Sequence, residues 1–178
     1  MSGRRERKKN AVRTAVVDAA AAMFAREGFD STRVESIAHA ADVAVGTVYN
    51  YFPAKSDILL AVLVRDAQDA IEAAAAHESA YGLAATIVDV MERRPRHLWR
   101  QLYAQALMDE ERMRPAFTYV LAQFEGFLGK LLPPEHAALA MSIGFSAIFR
   151  YVLDDDVTEA HAKAAVLEQL RGAGVERA

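Results

Sequence analysis

Apolar residues in this chain recur at spacings of three and four, and alternating runs of strand type are short and rare. The pattern predicts an all-α protein of about nine helices. A first helix is expected from about Asn10 to Glu27, with Val16, Ala19, Ala20, Met23 and Phe24 on one face. Gly28 would close it in the left-handed conformation, and Phe29 would fold back on its last turn. A second helix opens at Thr32. Glu35 stands three residues later, as in a capping box, where hydroxyl and carboxylate each take an orphan N–H. Val34, Ile37, Ala38 and Ala41 then face inward. Asp42-Val43 forms a turn. A short third helix, about Ala44 to Tyr51, buries Val48 and Phe52, and Pro53 stops it.

A fourth helix is expected from Lys55 to about Ala76. Later elements are coarser: Tyr81 to Arg94, Pro95 to about Glu111, Pro115 to Leu132, Glu135 to Leu153 and Val157 to Arg171. Pro95 and Pro115 suit first helical positions, Pro133-Pro134 breaks the chain, and Gly172 and Gly174 end the last helix. The division predicted is a head, residues 1–54, carrying a helix-turn-helix at about 33–52, and a helical body, residues 55–178.

Composition adds a few bounds. Apolar residues make up 53% of the 178, enough for a sizeable core. Cysteine is absent, which excludes disulfides and thiolate metal sites and suits a reducing cytoplasm, the expected location. No run of 18 uninterrupted apolar residues suggests a membrane span. The net charge of −3 is unevenly spread. Residues 1–55 carry nine Lys and Arg against six Asp and Glu, and the remainder carries 12 against 18. One basic end on an acidic body suggests that the head meets a polyanion. The basic run from Arg4 to Lys9 could follow a DNA backbone or enter a minor groove, or it could be a solubilising tail.

The candidate chemistry is concentrated in residues 32–55. A helix-turn-helix needs a short second helix exposed at its N-terminal end, a bracing first helix, and flanking groups that grip phosphate. Gly46 lets the third helix approach DNA closely. Val45 can touch a thymine methyl, and the Thr47 hydroxyl can serve bases or phosphates. Tyr49 can present its hydroxyl to a phosphate. Lys55, and Thr32 with Arg33, stand at helix starts that favour phosphate. No Gly-rich phosphate loop and no G-x-S-x-G element appears, so no catalytic residue or cofactor is assigned. The five histidines have no metal-ligand spacing, so no metal site is assigned either.

Phe24 and Gly28 in the pattern A-x-x-x-F-x-x-x-G, Thr32, Ile37-Ala38, Ala41, Val43 and the run Gly46 to Lys55, followed by Ser56-Asp57-Ile58-Leu59, resemble the tetracycline-repressor (TetR) family of bacterial transcriptional regulators. The resemblance covers residues 12–60. It implies a three-helix DNA-binding head on a helical body that dimerises and often holds a small-molecule pocket. The family's DNA-contact positions fall on Thr32, Arg33, Val45, Gly46, Thr47, Tyr49 and Lys55. The chain departs from the pattern at Asp42, where the family usually has Gly. Ala44 and Ala54 stand where Ser or Thr commonly caps helices 3 and 4. The missing cap at Ala44 suggests a third helix that is loose in the free protein and orders on DNA.

In the body, large apolar residues at helical spacing are either core or the lining of a ligand cavity. Met91, Trp99, Tyr103, Phe117 and Phe124 are the candidate lining. Small residues at Ala140, Gly144, Ala147 and Ile148 allow close helix approach, either within the chain or across a two-fold axis. The expected whole is a homodimeric, ligand-responsive repressor on a near-palindromic DNA operator, with no cofactor, no membrane partner and no enzymatic activity. The alternatives are a DNA-binding protein of the same fold without an effector, and a helical small-molecule binder or enzyme.

Overall fold

A computed structural model describes residues 2–74, 93–108 and 110–175. Among the described residues there are eight helices and no strand. They are α1 (Ser2–Glu27), α2 (Val34–Ala40), α3 (Val45–Tyr51), α4 (Lys55–Ala74), α5 (Arg96–Met108), α6 (Glu110–Leu131), α7 (Pro134–Leu153) and α8 (Glu159–Gly172). Most of the helix expected at 81–94 lies outside the described residues. Packing divides the chain into two units, Met1–Leu63 and Val64–Ala178, with the division inside α4.

In the first unit, α1 presents Val16, Val17, Ala20, Ala21, Met23 and Phe24 to the core, while Ala19 is only half-buried. Val34, Ile37 and Ala38 of α2, Val48 of α3, and Ile58, Leu59, Val62 and Leu63 of α4 are buried with them. The first helix starts eight residues earlier than the pattern suggested. Arg4 to Lys9 therefore belong to a helix and not to a tail. The segment offers nothing to stop a helix between Arg4 and Glu27: it contains neither Gly nor Pro.

Left-handed residues close the helices where the sequence suggested. Gly28 has φ 82° and Phe29 folds back, its ring centroid 5.5 Å from that of Phe24. Asp42 has φ 54°. The Val43 N–H reaches back to the Ala38 carbonyl at 3.0 Å and the Asp42 N–H to the His39 carbonyl at 3.1 Å, a Schellman closure with Asp in glycine's usual place. The same closure ends α8: Gly174 has φ 72°, and Val175, buried, bonds back to the Leu170 carbonyl at 3.0 Å.

In the second unit α7 is the central helix, packed against α5, α6 and α8. By length and a mean hydropathy of 1.4 it could cross a bilayer. Eight of its residues are instead buried in the body. One core cluster joins Phe124, Phe127 and Leu128 of α6, Ala137, Ala140, Ile143 and Ala147 of α7, and Val166 and Leu170 of α8. Pro134 starts α7, so the Pro-Pro break is real. Pro115 starts nothing: it is the sixth residue of α6, inside the helix, where its missing N–H forfeits one intrahelical hydrogen bond.

Polar groups pin the ends of this body. Arg94 forms a two-toothed ion pair with buried Asp66 of α4, at 2.6 and 3.0 Å. The acidic turn between α7 and α8 is gripped by α5. Arg96 stacks 3.9 Å from the Tyr151 ring centroid and donates to the Asp154 and Val157 carbonyls. Arg100 donates to the Val152 carbonyl and to Asp155, whose carboxyl it holds below the usual range. Thr158 caps α8 by accepting the His161 N–H.

Two glycines two residues apart test the closing of α8. A Cβ added at either meets nothing within 4 Å. Gly174→Ala should destabilise the body by about 1 kcal/mol through its left-handed backbone alone. Gly172→Ala, at the helix end, should be neutral or stabilising by roughly a few tenths of a kcal/mol. Thermal melting of the two variants side by side checks the opposite signs.

Candidate nucleic-acid interface

The α2–turn–α3 pair is built from α2's buried face, the left-handed turn at Asp42, and a seven-residue α3 anchored by Val48 and Phe52. Its outward side carries the expected contact residues. Gly46 is exposed, and nothing lies within 4 Å of where a Cβ would stand. Packing therefore does not require glycine there. Tyr49 is exposed, and Val45 and Thr47 are half-buried beside Gly46. The four share the outer surface of α3 and its start. Arg33 is exposed at the N-cap of α2.

Two expected phosphate ligands are employed differently. Thr32 is buried, and its hydroxyl donates to the Gly28 carbonyl at 2.7 Å. The capping box is consequently absent: Arg33 holds the N-cap, and no side chain bonds there. A phosphate contact from the Thr32 hydroxyl is not available in this conformation. Lys55 is the other. Its ammonium donates to the carbonyls of Phe29 at 2.7 Å, Thr32 at 3.1 Å and Asp30 at 3.3 Å. It also lies 4.3 Å from the Phe29 ring centroid. An ammonium has three protons, and three carbonyls take them. Lys55 is thus a clamp on the α1–α2 connection.

The two missing caps have different outcomes. Ala44 has extended backbone, φ −68° and ψ 143°, with no side-chain bond, so α3 starts uncapped. At α4 the Asp57 carboxylate accepts from the Ala54 N–H at 2.7 Å, the half of a capping box that needs no hydroxyl at the N-cap.

A second basic group adjoins the α3 surface. Lys8, Lys9, Glu6 and Val12 of α1 line a hollow together with Thr47 and Tyr51 of α3. In the sequence this basic run admits a DNA contact or a solubilising tail, and its helical state is unsignalled because the apolar periodicity begins only near Val12.

The five expected ligand residues fall into separate settings. Met91 lies outside the described residues. Trp99 is buried on α5, and Tyr103 packs edge-on against Phe149 of α7 at 5.8 Å. Burial pushes the Tyr103 phenol up. Phe117 is half-buried on α6, and Phe124 fills the α6–α7–α8 core. A shallow hollow between α7 and α8, lined by Ser146, Arg150, His161 and Gln169 among others, contains none of the five. The small-residue stripe also turns inward: Ala140, Gly144, Ala147 and Ile148 are all buried within the chain.

These features define a helix-turn-helix DNA-binding head. Residues 16–62 match the family model described as "Bacterial regulatory proteins, tetR family". That match covers the head and the start of α4, about a quarter of the chain. Over 65 residues the chain is 35% identical to the HTH-type transcriptional repressor KstR of Rhodococcus jostii, covering 36% of this chain and 28% of that one. The KstR of Mycolicibacterium smegmatis is 39% identical over 62 residues, 35% of this chain and 28% of its own. The matched region thus spans little more than a quarter of these curated relatives, and it is the head. The fold as a whole resembles a TetR transcriptional regulator from Rhodococcus sp. RHA1, with a TM-score of 0.72, 19% identity, and coverage of 97% of this chain and 99% of that one. It also resembles the multidrug binding protein EbrR complexed with imidazole, with a TM-score of 0.63, 19% identity, and coverage of 88% and 93%.

Two substitutions separate stabilising groups from contact groups. Lys55→Gln should lower amide protection across residues 28–40 by about 2 kcal/mol, the scale of hydrogen bonds to a charged group. A phosphate ligand alone would leave that protection unchanged. Ala44→Ser should raise protection in α3 by about 1 kcal/mol and tighten DNA binding up to roughly fivefold. Unchanged values of both would count against a loose α3.

Proposed function

We propose that the protein is a homodimeric transcriptional regulator, acting as a repressor, that binds a near-palindromic operator and releases it in response to a small molecule. The observation that carries the reading is the open outer surface of α3 around Gly46, on a head whose relatives are named as repressors. Val45, Gly46, Thr47 and Tyr49 would meet the major groove, with Arg33 on a flanking phosphate. The α2 start near Thr32 and the α4 start near Lys55 would offer backbone N–H groups instead of side chains. The head is residues 1–54 in this reading, and α4 carries the signal from the body.

The surface available for pairing is the outer stripe of α7. Leu139, Ser142, Ser146, Phe149 and Leu153 recur at helical spacing and are exposed. Serines at the centre would let a partner's helix approach closely, with leucines at either end. Two α3 helices would then enter successive major grooves about 34–36 Å apart. An effector acts only through its preference for one spacing over another. EbrR, described as a multidrug binding protein in complexes with imidazole and with ethidium, supports a body of this fold as a small-molecule site. Trp99, Tyr103 and Phe117 are the candidates for it among the described residues.

Selection from random duplexes should return a two-fold sequence with half-sites one helical turn apart, bound by a dimer in sedimentation. Gly46→Ala should raise the stability of α3 by about 0.5–1 kcal/mol. It should also weaken operator binding by about 1–3 kcal/mol, as an overpacked contact does. A chain that binds no duplex, its own upstream region included, would overturn the reading.

A further inference from the structure

We infer that the first turns of α1 are a second, rigid DNA-contacting element, gripping the phosphate backbone beside the groove entered by α3. The inference rests on the DNA-binding reading above and adds a site to it. Three observations carry it. The helix is continuous from Ser2 through the buried part of α1, so its start is held in a fixed direction by the packing of Val16, Val17 and Ala20. Val12 is half-buried, and the Arg13 guanidinium lies 5.6 Å from the Phe52 ring centroid, which ties this part of α1 to the end of α3. Lys8 and Lys9 line the same hollow as Thr47 and Tyr51, so ammonium groups adjoin the surface that would face the DNA.

The charge there is one-sided. Arg4, Arg7, Lys8, Lys9 and Arg13 are exposed. Glu6 is the sole acidic residue before Asp18. Among the described residues, Lys8 and Lys9 have no ion-pair partner. Arg4 and Lys8 stand four apart on the helix, a like-charge spacing that costs stability and is relieved by a polyanion. A helix start of eight residues spans about 12 Å, enough to follow a short stretch of backbone outside the half-site. Phosphate is the chemistry that fits: a point charge on a flexible stem needs no base edge, so this contact adds affinity and register without sequence preference. Glu6 lies in the same hollow and opposes the contact.

The test uses the full chain, the selected operator and an unrelated duplex, with binding followed across a range of KCl concentrations. Each phosphate contact contributes about 0.9 to the slope of log affinity against log salt. Lys8→Gln with Lys9→Gln should lower the slope by about 2 and weaken binding roughly 10- to 60-fold at 0.1 M salt on both duplexes, with the selected sequence unchanged. Glu6→Gln should strengthen both. Phosphate-ethylation interference should show discrete contacts flanking each half-site that vanish in the double variant. An operator-binding wild type matched by the double variant in slope and affinity would overturn this inference and leave the regulator reading intact. Diffuse interference would overturn the rigid helix. A wild type that binds no duplex would sink the regulator reading itself.

Discussion

The head depends on one ammonium group. Lys55, the first residue of α4, gathers the carbonyls of Phe29, Asp30 and Thr32 and lies over the Phe29 ring, which in turn packs on Phe24. The connection between α1 and α2 has six residues and no backbone ladder of its own, so its carbonyls need partners. Thr32 donates to the Gly28 carbonyl, the Ile37 N–H to that of Arg33, and Lys55 to those of Phe29, Asp30 and Thr32. α2 is then placed relative to α1 and α4, and α3 relative to α2. A cation that serves carbonyls this closely is occupied, and the motif's basic residue is therefore a scaffold group first.

The helix ends show how local chemistry is shared out. Closures by left-handed residues are strong: Gly28, Asp42 and Gly174 all adopt positive φ. N-terminal caps are weaker. α2 and α3 have no side-chain cap, α4 borrows the Asp57 carboxylate, and α8 has Thr158. α7, with Pro133 at its N-cap, also has no side-chain cap, and the other two uncapped helices are the helix-turn-helix itself. Orphan N–H groups at these helix starts are where a phosphate would serve as the missing partner.

The body follows a different logic. Its apolar stripe satisfies several readings, and burial chooses among them. Phe124 and the small residues of α7 fill a single-chain core, which leaves the serine-and-leucine face of α7 outward. The arginines of α5 fold the acidic α7–α8 turn back onto the helix bundle, and so a run of three aspartates becomes a structural corner.

Short-range patterns were legible in the amino-acid sequence. The all-helical class, the left-handed turns, Val48 and Phe52 as anchors of α3, and the missing cap at Ala44 all follow from residues within a few positions of each other. The family resemblance was legible for the same reason, since the head's motif is contiguous. Tertiary structure decided what depends on distant partners. It engaged Lys55 with carbonyls more than twenty residues away, and the burial that comes with this packing turned Thr32 inward to the Gly28 carbonyl. It extended α1 through Arg4 to Lys9, where no apolar period existed to signal a helix, and set Lys8 and Lys9 beside Thr47 and Tyr51. Periodicity reports which side of a helix is apolar; only packing decides which neighbour covers it and which polar atoms are left to face outward.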